Sequence, residues 1–140
     1  MQNLDKLELI KICEELFNAF DGVLSWKWDS RFEAVLAEFD VANKNRVRAI
    51  LDRCFGSTWE ISTIDRAPLC VKEVSTYLGN LRSEQVLFTS DTTRAAYIYC
   101  AWWPWGNGKT ISIRIAPYYK ALPDPEKVEK IKHFESLFGI

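Results

Sequence analysis

From Leu4 to Phe20 the apolar residues Leu9, Ile10, Cys13, Leu16, Phe17 and Phe20 recur at steps of three and four. That is the spacing of one helical face. Asn3 is placed to cap this helix and Gly22 to stop it. Leu24, Trp26 and Trp28 then alternate with Ser25 and Lys27, which suits a short extended segment with one apolar side. Phe32, Val35, Leu36 and Phe39 return to helical spacing behind Asp29 or Ser30 as cap, and predict a second helix. A third carries Val47, Ile50, Leu51 and Cys54 before Gly56, unless the two form one kinked helix.

Alternation resumes at Trp59, Ile61 and Thr63, where a strand is expected. Pro68 is fit for the first turn of a helix ending near Gly79, with Val71, Val74, Tyr77 and Leu78 facing inward. The segments 85–89, 95–103 and 109–116 are strand-like and separated by turn residues, which predicts an antiparallel meander. Asp124 and Pro125 open a last helix with Val128, Ile131, Phe134 and Phe138 on one stripe. The expectation is an α+β fold in two layers: a meander of three to four strands against several helices, closed by a C-terminal amphipathic helix.

At 140 residues the chain is the size of one domain and buries roughly two thirds of its unfolded surface. The expected domain therefore spans residues 1–140, helical to about 80, meander over about 85–118, last helix over about 124–138. Six tryptophans and an aromatic share of 14% are high for this length. Charges near the start interrupt any signal-peptide pattern, and no run approaches the ~20 apolar residues of a membrane span. A cytoplasmic location without membrane contact follows as the expectation. Cys13, Cys54, Cys70 and Cys100 lie far apart with no C-x-x-C, so free thiols are expected rather than a zinc site. Net charge is −1, with residues 1–43 holding nine acids against four bases. The remainder carries the balancing positive charge.

Within the meander, Ile98, Cys100 and Trp102 share one face with Ile111, Ile113 and Ile115, which must be core. An Asn107-Gly108 turn sets Trp102 against Ile113; a Gly106-Asn107 turn sets Ile98 against Ile115. Either keeps the faces separate. Tyr97, Tyr99 and Trp103 then fall beside Thr110, Ser112 and Arg114 on the polar side, with Trp105 at a glycine-rich tip near Lys109. Large amphipathic rings next to Arg have the composition of binding hot spots. Helices over both faces would instead make these rings core. The expected partner-binding set is Tyr97, Tyr99, Trp103, Trp105, Lys109 and Arg114.

Catalytic patterns fail on inspection. Gly108-Lys109-Thr110 resembles the end of a phosphate loop, but Trp103 stands where its first glycine belongs and a strand follows. His133 is the only histidine, on a helix surface, and the adjacent Glu14 and Glu15 point in different directions. No catalytic residue, metal site or cofactor is expected. Lys44, Arg46, Arg48 and Arg53 make a basic helix side, and Arg94, Lys109, Arg114 and Lys120 surround the hairpin. Such rings and cations can stack single-stranded bases, but the chain lacks the RNA-recognition strand signature and a basic net charge. The profile suits a non-catalytic protein-binding module, most concretely a cytoplasmic inhibitor of the bacterial immunity-protein type that neutralises a cognate toxin by complex formation. The alternatives are single-stranded nucleic-acid binding and small-molecule binding.

Overall fold

A computed structural model describes residues 2–120 and 124–138; the side chains of residues 2–8, 124 and 128 lie outside what is described. The expected caps Asn3 and Asp124 and the packing of Val128 fall there. The elements are α1 (Gln2–Ala19), β1 (Lys27–Asp29), β2 (Ala34–Asp40), α2 (Lys44–Cys54), β3 (Ser57–Trp59), α3 (Leu69–Tyr77), β4 (Val86–Thr89), β5 (Ala96–Pro104), β6 (Thr110–Tyr119) and α4 (Asp124–Leu137). Among the described residues the architecture is α+β: one six-stranded sheet in the order β1-β2-β6-β5-β4-β3, every pairing antiparallel, with four α-helices. Six strands exceed the three to four expected from the meander alone.

Of the additional strands, β1 overlaps the end of the extended segment expected over 24–28 and β3 includes Trp59 of the strand expected there, whereas β2 was misread by period. Val35, Leu36 and Phe39 do not lie on a helix but in β2, which is hydrogen-bonded between β1 and β6. Ala34 to Ala37 are all buried because an interior strand buries both faces over this stretch. A continuous apolar run of this length is compatible with either element by period alone. Trp59 does lie in a strand, but β3 stops there. The chain then turns, with Thr63 and Ile64 N–H donating to the Glu60 carbonyl, and Ile61 is left 55% exposed.

One sheet face carries Val35, Ala37, Phe39, Phe88, Ile98, Cys100, Trp102 and the three β6 isoleucines. It packs on Cys13, Leu16 and Phe20 from the first helical segment, Val47, Ile50 and Leu51 from α2, and Phe134 and Phe138 from the last. Trp102 pairs with Ile113 and Cys100 with Ile115, the register in which partner numbers sum to 215. Burying each such aliphatic side chain stabilises the fold by about 1.5–3 kcal/mol. The other face holds a smaller cluster. Val71 and Val74 of α3 cover Leu87, Tyr97, Tyr99, Ala34 and Ala116.

That helix decides where the sheet is open. Nine helical residues span about 13 Å, whereas the nine residues of β5 span about 30 Å. The Tyr97 hydroxyl donates to the Cys70 carbonyl at 2.9 Å at one end of α3, and Leu78 and Trp103 line a common cleft at the other. Beyond Trp103, toward the hairpin tip, α3 has ended.

Candidate functional site

The site is built where β1, β2, β5 and β6 run past the end of α3. Alternation and register place Ser112 and Arg114 beside Trp103, Leu36 and Glu38. Across β2, Asp29 of β1 reaches Arg114, whose Nε donates to Asp29 Oδ2 at 2.7 Å. Both side chains are largely buried, at 17% and 12% exposure. The second fork of the guanidinium donates from Nη1 to Ser112 Oγ at 3.2 Å. Burial pushes the Asp29 carboxyl upward, but Arg114 and the backbone N–H groups of Arg31 and Phe32 outweigh it and hold its pKa below the ordinary carboxylate value.

The loop between β1 and β2 brings in a ring absent from the expected set. Glu33 sits at φ 51°, in the left-handed region, and Arg31 N–H donates to Asp29 Oδ1 at 2.9 Å. This tight return carries Phe32 onto Trp103 (5.5 Å, edge-to-face) and Tyr77 (5.9 Å, edge-to-face). Arg114 lies 4.3 Å from the Trp103 centroid and 5.6 Å from that of Phe32, and Arg31 lies 5.0 Å from Phe32. The result is an aromatic row, Tyr77–Phe32–Trp103, with guanidinium groups already on the faces of Phe32 and Trp103. Tyr77 is 54% exposed.

At the tip, Trp105 N–H donates to the Thr110 carbonyl and Gly108 N–H to the Trp105 carbonyl. Asn107 Oδ1 accepts from the N–H groups of Lys109 at 2.8 Å and Thr110 at 3.1 Å. The loop therefore holds four residues, 106–109, with Gly108 at φ 69°. It presents Trp105, 44% exposed, and an exposed Lys109.

Of the expected set, Trp103, Trp105, Lys109 and Arg114 are gathered at this end of the sheet. Tyr97 and Tyr99 are not: they are 0% and 3% exposed beneath α3, and their expected exposure is corrected. The face is polar only from Thr110 to Arg114. Ala116 pairs with Tyr99 and Tyr118 with Tyr97, so the same face turns apolar toward the base of the hairpin. Burial raises the hydroxyl pKa of both tyrosines. Phe32, Asp29 and Arg31 were missed because residues 29–39 carry helical spacing, and Tyr77 because it was expected on the inward face of its helix, where the structure leaves it 54% exposed; the signal that could have located Asp29 is the need of a strand-borne arginine for a carboxylate.

A small cleft lies between Ser75, Leu78, Leu81, Gln85 and Trp103, with a volume of about 10 Å³. That is room for about one water. Among the described residues no group of three or more His, Cys, Asp or Glu is placed to hold a metal ion, and no helix is long and apolar enough to cross a membrane. No family model, curated protein or solved structure matches this chain.

Proposed function

We propose that this chain is a non-catalytic protein-binding module, and that its concrete role is that of a cytoplasmic inhibitor of the immunity-protein type, which blocks a cognate toxin by complex formation. The observation that carries the reading is the aromatic row Tyr77–Phe32–Trp103 with Trp105 beyond it. Tyr77 and Trp105 are exposed, and Phe32 and Trp103 are half-buried around the end of α3. Tryptophan, tyrosine and arginine dominate the energetics of protein interfaces because they bury much area at small entropic cost. Here the rings are held in place by their own ion-pair and edge-to-face contacts before any partner arrives, which lowers the ordering cost of association.

The surface supports the two alternatives less well. Base stacking needs open ring faces, and guanidinium groups already lie over Phe32 and Trp103. A small-molecule site needs a cavity of a few hundred Å³, against room for about one water in the cleft.

The test is co-expression with the product of the adjacent gene. A toxic neighbour whose growth arrest is relieved by this chain, and which purifies with it in a stable complex, supports the reading. A neighbour that is harmless, or whose toxicity persists when both are expressed, counts against it.

A further inference from the structure

We infer that the partner docks through an acidic protein surface, received by Lys109 and the first turns of α2 around Trp105. This inference rests on the protein-binding reading and names the chemistry of the partner. It starts from a backbone bond: Val41 N–H donates to the Lys109 carbonyl at 2.7 Å, while Asp40 pairs with Thr110. The hairpin tip is thereby fastened to the segment that opens α2 three residues later. α2 holds Lys44, Arg46, Arg48 and Arg53 against a single acid, Asp52.

The arginines and lysines of this corner divide into two kinds. Arg48 is spent internally: its guanidinium pairs with Asp52 and lies 4.9 Å from the Phe88 centroid and 5.7 Å from that of Trp102. Lys44, Arg46 and Lys109 are exposed and form no ion pair among the described residues. On the same corner the exposed Asp40 is committed to its own turn, accepting from Ala42 N–H at 2.8 Å, and Glu38 is paired with Lys27 at 3.0 Å. Lys44, Arg46 and Lys109, set against the one carboxylate of Asp40, thus lie on the two segments that this bond joins, and Lys109 shares its tip loop with the exposed Trp105, an apolar anchor with a net positive rim. Complementary charge at such a rim steers encounter and sets partner choice.

Protein is favoured over nucleic acid as the source of the negative charge on two grounds. Three cations on one corner are too few for a continuous track along a phosphate backbone, and the whole chain is at −1. Trp105 is also a single ring, without a neighbouring open face on which a second base could stack.

The experiment is an NMR titration of the full chain, following backbone amides and tryptophan indoles. The probes are poly-L-glutamate of about 20 residues and, separately, an oligothymidylate of matched charge, each at about 50 and 200 mM salt. The expected result is that poly-L-glutamate moves the Trp105 indole and the amides of 41–48 and 105–110, and binds at least about tenfold more weakly at the higher salt. The triple variant Lys44→Glu, Arg46→Glu, Lys109→Glu, with unchanged amide dispersion, should lose these shifts. Shifts confined to other parts of the chain, shifts that survive the triple variant, or equal or tighter binding of the oligothymidylate would overturn the inference. Neither the rescue of a toxic neighbour nor its failure alters these readouts, so the two proposals stand or fall separately.

Discussion

At the residue scale the account turns on Arg114. It bridges three things at once: the Asp29 carboxylate, the Ser112 hydroxyl and the faces of Trp103 and Phe32. Arg114→Ala leaves a largely buried carboxylate without its partner, and should destabilise the fold by about 2–3 kcal/mol in chemical denaturation. Because the folded pKa of Asp29 is depressed, its contribution is fully present above the unfolded carboxylate value near 3.9. It is lost as pH falls through the lower folded value. The stability difference between parent and Asp29→Asn should therefore be constant around neutral pH and narrow only below about pH 4.

The four cysteines make a second residue-scale prediction. Burial, with a smaller contribution from the Glu14 charge, pushes the Cys13 thiol up to about 12, and burial raises Cys100 well above its ordinary value. Cys54 and Cys70 are only partly covered. A thiol reagent under native conditions should label the latter two within minutes, and Cys13 and Cys100 only as the protein unfolds. Equal rates at all four would contradict the packing of α1 on β5.

At the element scale the hairpin β5–β6 is the part most legible in the sequence. Its core face was readable from Ile98, Cys100, Trp102 and the three isoleucines, since a one-residue slip exposes all of them; the choice between the two registers that keep the faces apart was not, and the structure holds the 215 pairing. Its tip is rigid for a local reason, the twofold acceptance by Asn107 Oδ1 and the left-handed Gly108. A methyl group added at Gly108 would meet nothing within 4 Å. Gly108→Ala should thus cost only the backbone strain, about 1 kcal/mol, seen as a lowered midpoint with the amide spectrum outside 105–110 unchanged. β2 was the least legible element. Ala34 to Ala37 bury both faces of an interior strand, and so show none of the alternation that marks a half-buried one. Once β2 is read as a helix, Asp29 looks like a cap and Phe32 like core, and half of the aromatic row disappears.

At the scale of the whole molecule, the split of the second sheet face into covered and open parts follows from the shortness of α3 relative to β5. Sequence shows both lengths separately, but not which helix crosses which strand; Tyr97 and Tyr99 were placed on the right face and the wrong side of that boundary. The same geometry leaves the proposed docking surface running from the end of α3 to the tip, where the exposed Trp105 lies outside both core clusters. The most direct measurement is the affinity of the partner protein for Trp105→Ala compared with the parent, read beside the thermal midpoint of each. The account predicts binding weakened by at least about 2 kcal/mol, some thirtyfold, at an unchanged midpoint. A variant that binds as tightly as the parent would contradict it.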